Sequence, residues 1–171
     1  MKKTLLILSI IIIISVIYKN NQKDDVIIPS SSIRIRIISN SNSKEDIKTK
    51  LALKSAIENY LFPLVSNATN EESADKIISN SLPQINNQVK AFLKSSDFTV
   101  NYGTNYFPSK TYKGVIYNGG YYKSLVITIG KGEGENWWCV LFPPLCLLED
   151  NNTTDDVQYK LYISSIIDKF N

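Results

Sequence analysis

A chain of 171 residues with 43% hydrophobic and 11% aromatic content carries enough apolar surface for one packed domain, which excludes a disordered protein. Its net charge of +3 is spread along the sequence and gives no support to nucleic-acid binding. The chain has no histidine, so a His-containing hydrolytic triad is excluded and the commonest metal ligand is missing.

The N-terminus opens with Lys2 and Lys3 and continues through an apolar run from Leu5 to Ile17, a basic n-region before a secretory h-region. The run is short for a membrane span, which needs about 20 apolar residues, and no small-x-small cleavage site follows it. Residues 1–18 are therefore a signal peptide or a signal anchor. Membrane contact through this leader is expected if it stays uncleaved. Residues 19–32 are polar and read as a tether, leaving 33–171 as a single domain.

Ile33-Arg34-Ile35-Arg36-Ile37 alternates with period 2 and predicts a half-buried strand, with three isoleucines on one face and two arginines on the other. Arg34 and Arg36 then either face solvent on an edge strand or fork onto a carboxylate of a partner. Ser43 with Asp46 is an acidic variant of the capping box and starts a helix from about Lys44 to Phe62, with Pro63 where it should finish. A second helical stripe, Ala74, Ile77, Ile78, Leu82, Ile85, Val89, Phe92 and Leu93, begins near Asn70. Pro83 interrupts it, which predicts a kink or two consecutive helices.

Beyond Ser95 the composition turns to Tyr, Thr, Val, Ile and Gly and favours strands, with candidates at Phe98 to Tyr102 and Tyr121 to Ile129. Gly130-x-Gly132-x-Gly134 lacks the spacing of a dinucleotide fingerprint or a Walker motif and reads as a hinge loop. A last helix is predicted from about Asp155 to Phe170. Together these elements predict an α+β fold, helices layered on a small, largely antiparallel sheet.

Residues Asn136 to Cys146, NWWCVLFPPLC, hold both tryptophans and both cysteines. Two adjacent Trp cannot share one face of a strand, and Pro143 with Pro144 ends any helix. The segment is a compact apolar knob, either a plug in the core or a surface for a partner. Cys139 and Cys146 are candidates for a disulfide, a pair of buried thiols or a catalytic thiol. The last fits least, since the closest lysines are Lys131 and Lys160. Cys-x6-Cys alone is no zinc signature, so neither metal nor cofactor is expected.

From Tyr106-Phe107-Pro108-x-Lys110-x-Tyr112-x-Gly114, through Gly120-x-Tyr122-x-x-Leu125-x-Ile127-x-Ile129-Gly130-x-Gly132-x-Gly134-x-Asn136, to Trp137-Trp138-Cys139 and onward to Cys146, the chain closely resembles the stage II sporulation protein R family of endospore-forming bacteria. Ile35-Arg36-Ile37 and Ser39-Asn40-Ser41 look like that family's opening strand and turn, and the likeness runs over about residues 33 to 170. Asn118-Gly119 and Leu147 depart from the family's usual residues.

The resemblance implies an exported signalling protein and not an enzyme. Made in the forespore, it would enter the intermembrane space and activate a membrane-embedded aspartic protease of the mother cell, which matures pro-sigma-E. The expected partner contacts are Trp137, Trp138, Phe142, Tyr106, Phe107, Tyr112, Arg34 and Arg36. The alternative from another class is a cell-envelope enzyme using a Cys139/Cys146 redox pair or a carboxylate site.

Overall fold

A computed structural model describes residues 26–94, 97–146 and 156–170. The leader and residues 19–25 of the tether lie outside the described residues. In chain order the elements are β1 (Val26–Ile27), β2 (Ile33–Ile38), α1 (Lys44–Val65), α2 (Glu71–Leu93), β3 (Phe98–Phe107), β4 (Lys110–Tyr112), β5 (Val115–Tyr117), β6 (Gly120–Ile129), β7 (Asn136–Phe142) and α3 (Asp156–Phe170).

The α+β class holds, and the strands form two mixed sheets. One has the order β3-β6-β2-β7, the other β1-β5-β4. β2 pairs in parallel with β6 and antiparallel with β7, while β3 and β6 form a long antiparallel ladder from Phe98↔Ile129 to Phe107↔Gly120. The parallel pair is possible because both helices and three strands intervene between β2 and β6, ample length for a crossover. β2 is thus an interior strand and not the edge its alternating pattern suggested.

Period-2 alternation divides the main sheet into two faces, and each face has its own core. Ile33, Ile35 and Ile37 of β2 and Leu125, Ile127 and Ile129 of β6 pack against Leu53, Ile57 and Leu61 of α1 and Ala74, Ile78, Ile85 and Val89 of α2. Each large aliphatic side chain buried there contributes about 1.5–3 kcal/mol. The second core lies on the other side of β7. It joins Val140 and Leu145 to Ile28, to Val115 and Tyr117 of β5, and to Tyr159, Ile163 and Ile167 of α3. Tyr117 and Tyr159 meet there hydroxyl to hydroxyl at 3.0 Å.

Val26 to Ser32, read from the sequence as the end of the tether, is part of this fold. Val26 and Ile27 pair in parallel with Val115 and Ile116, and Ile28 is buried. Both prolines that were expected to end or kink a helix lie inside one. Pro63 sits in the last turn of α1, whose end is held by Ser66 N–H donating to the Phe62 carbonyl. Pro83 lies on the exposed face of α2 and removes the helical donor only from the carbonyl of Ser79, itself exposed, so solvent replaces the lost bond. Ser43 Oγ accepts from Asp46 N–H, one half of the predicted box, while Ser43 N–H donates to Ser41 Oγ and not to Asp46; Asn70 with Ser73 forms a reciprocal capping box on α2.

The glycine loop is docked and not free. Lys131 N–H donates to Asn40 Oδ1, Glu133 N–H to the Asn40 carbonyl, Gly134 N–H to the Ser39 carbonyl and Glu135 N–H to Asn42 Oδ1. Those four donors are spent on the 39–42 turn and are unavailable to cradle a phosphate. A Cβ at Gly134 would collide with Ser39 Oγ and the Ser41 carbonyl, which is why glycine stands there. Lys50, buried on α1, fastens the same loop by donating to the Glu135 carbonyl at 2.8 Å.

Candidate docking surface

The Trp-Trp-Cys block is β7 itself. In register, Trp137 lies opposite Ile37 and Trp138 opposite Arg36, so the two indoles leave the strand on opposite faces. Both are half-buried. Trp137 packs against the helix-side core, with Lys54 Nζ 5.1 Å from its ring, and Trp138 packs against the second core. The knob is therefore the joint between the two cores.

Cys139 and Cys146, both buried, are paired as a disulfide with Cα atoms 5.6 Å apart. The chain turns back through Pro143 and Pro144, and Leu145 N–H returns to the Val140 carbonyl at 3.2 Å. This return packs along β7, the strand that ends the sheet on that side.

The opposite expectation fails for Arg34. Its side chain is 0% exposed, so it is neither a solvated edge residue nor a surface fork. The guanidinium carbon stands 3.4 Å from the Tyr122 ring centroid, with Phe107 and Trp138 at 5.3 and 5.5 Å, and Nη2 donates to the Asn118 carbonyl. Arg36, half-buried, lies 4.6 Å from the Phe107 ring and donates to the Tyr106 carbonyl. Burial pulls both guanidinium groups below their usual value, with Tyr122 and Tyr117 partly opposing this at Arg34. Aromatic faces are the main compensation for these charges.

The remaining predicted contacts divide by exposure. Phe107 is buried in the arginine layer, making edge contacts with Tyr122 and Trp138. Phe142 is buried against Phe170 of α3 at 5.0 Å. Neither offers surface to a partner in this state. Tyr112 is half-buried beside Tyr159. Tyr106 is 55% exposed, and directly opposite it in register is Tyr121, 74% exposed, with the two rings in edge contact at 5.5 Å.

A polar contact lies farther along the same face. Asp75 of α2 accepts from the Tyr102 hydroxyl at 2.6 Å and pairs with Lys123 at 3.2 Å. The hydrogen bond from Tyr102 holds the Asp75 carboxyl below its ordinary range, and burial raises the Tyr102 hydroxyl well above its own. Beyond Tyr102 and Lys123 on the same face, Tyr106 and Tyr121 project into solvent. Sequence reading missed Tyr121 because it shares its parity with Leu125, Ile127 and Ile129 and so reads as core. Tyr117, Tyr122 and Lys110, which complete the arginine layer, were missed because that layer is assembled from segments far apart in the chain.

A sequence profile described as Stage II sporulation protein R matches residues 29–152, which takes in every strand of the main sheet and the disulfide. The chain belongs to this family. Stage II sporulation protein R of Bacillus subtilis (strain 168) is 35% identical over 138 residues, covering 78% of this chain and 62% of that protein. The chain thus spans a little under two thirds of the curated relative's length. No solved structure matches. Membership of the family gives the chain a role in sporulation, and both its tryptophans and both its cysteines lie within the matched span.

Proposed function

We infer that the chain is an exported forespore-to-mother-cell signal that triggers a membrane-embedded aspartic protease to process pro-sigma-E during endospore formation. Its leader delivers the domain to the intermembrane space, and the folded part acts there as a ligand and not as a catalyst. The observation that carries this reading is the family match across residues 29–152. Two features of the site support it. The cysteine pair is buried and bonded, a poor position for a turning-over thiol. The facing pair Tyr106 and Tyr121 is exposed, and exposed tyrosines with a polar surround suit a binding hot spot.

The test is complementation. Expressed in the forespore of a strain that lacks its own stage II sporulation protein R, the full chain restores processing of the sigma precursor, read by immunoblot. A chain that is exported and folded while the precursor stays unprocessed would refute the reading.

A further inference from the structure

β3 ends the main sheet, and one hydrogen bond fixes the direction of its backbone groups. Gly130 N–H donates to the Asp97 carbonyl at 2.7 Å, and the β3–β6 register continued by one residue puts Asp97 directly opposite Gly130. A bond between directly opposed residues marks a hydrogen-bonded pair of an antiparallel ladder, and such pairs recur at every second residue. Thr99, Asn101, Gly103 and Asn105 therefore turn their N–H and C=O groups toward β6. Val100, Tyr102 and Thr104 turn theirs away from the sheet, where no backbone partner stands among the described residues. The open row stops before Tyr106, whose carbonyl accepts from Arg36.

The two margins of this sheet differ. β7, at the opposite margin, is flanked by the chain's own return, with Leu145 N–H on the Val140 carbonyl. β3 has none of the devices that keep an edge strand from pairing: it is 10 residues long, holds no charged residue and no proline, and keeps its register with β6 without a bulge. The charges beside it, Asp75 and Lys123, are paired with each other inside the chain. The missing ligand of this edge is another extended backbone, and an uncharged strand does not repel its own copy.

We propose that β3 pairs with β3 of a second copy of this chain, antiparallel across a two-fold axis at Tyr102. The open row is centred on that residue, so Val100 of one copy faces Thr104 of the other while the two Tyr102 face each other. Each facing pair exchanges two backbone hydrogen bonds, and the two four-stranded sheets become one continuous sheet. A contact of this kind is self-complementary. A second copy fits better than a loose segment of another protein because its edge is already extended, so no chain has to be ordered on binding. The open row is short, which makes the association weak and concentration-dependent. The pairing stands or falls independently of the protease-triggering function.

The alternation along β3 gives the experiment an internal control. Amide hydrogen exchange is resolved by residue on the full chain in detergent micelles, from well under one chain per micelle to several. The amides of Val100, Tyr102 and Thr104 are expected to exchange about tenfold more slowly or better at the highest ratio than at the lowest, while those of Asn101, Gly103 and Asn105 are protected at both. Thr104→Pro removes an outward N–H and no bond to β6, so the fold stays and the concentration dependence at Val100 and Tyr102 is lost. Thr104→Glu, a second variant at this exposed position, sets a carboxylate directly opposite Lys123, and a charged edge should weaken the pairing about tenfold. Outward amides that exchange fast at every ratio would overturn the proposal, even in chains that associate through the leader. Full protection already at the lowest ratio would overturn it by assigning the edge to a segment of the same chain, and so would pairing left unchanged by both variants.

Discussion

Trp138→Ala lowers the unfolding free energy by about 3 kcal/mol, the lower end of the range for truncating a packed Trp because this one is half-buried. The indole makes edge contacts with Phe107 at 5.8 Å and Tyr117 at 5.5 Å, and it stands beside Arg34 and Lys110. Its removal opens a space between the main sheet and the small sheet. Denaturant unfolding of wild type and variant measures the loss, and a change under about 1 kcal/mol would mean that the indole is a surface feature after all. The consequence for function is direct. Loss of signalling in this variant reports the fold, so it says nothing about a contact with the partner unless stability is measured beside it.

Changing Cys139 and Cys146 together to Ser lowers stability by about 2.5 kcal/mol, the chain-entropy value for a closed loop of this length. The disulfide ties the end of β7 to the return through Pro143 and Pro144, and the buried sulfurs pack against the helix-side core. With the thermal midpoint measured alongside, the double variant should still support processing of the sigma precursor at temperatures where it is folded. Processing abolished in a folded double variant would favour the envelope-redox alternative instead, because a structural staple is dispensable when the fold survives and a turning-over pair is not.

Much of the fold was legible because its elements are locally consistent. The Ile33 to Ile37 alternation, the stripes of both long helices, the Tyr121 to Ile129 strand and the final helix fall where periodicity puts them. What was not legible is set by contacts between distant segments. Arg34 alternates with isoleucines and so reads as the polar face of a strand. Its burial depends on Phe107, Tyr122 and Trp138, which arrive from three other strands. Val26 and Ile27 have no periodicity of their own and become a strand only by pairing with β5. Pro63 and Pro83 look like helix breakers in sequence, yet each occupies an exposed position where the missing bond is absorbed by a helix end or by solvent.

The candidate site shows the same division. Sequence specificity pointed to the tryptophan block, and that block proves to be the joint between two cores. The arginine layer behind it was half visible, as two arginines on one strand face. An exposed aromatic patch lies elsewhere, at a cross-strand tyrosine pair of which only Tyr106 carried a sequence signal. A residue can thus mark a family through packing, while an exposed patch is built from residues whose local pattern is ordinary.

On the function proposed, the chain signals by docking an exposed surface and not by chemistry in its core. The most direct measurement is processing of the sigma precursor in the complemented strain with a Tyr106→Ala/Tyr121→Ala variant, run beside denaturant unfolding of the same protein. Because both side chains project into solvent, stability is expected to stay within about 1 kcal/mol of wild type while processing is lost. Full processing by the folded double variant would contradict the account and remove this pair from the docking surface.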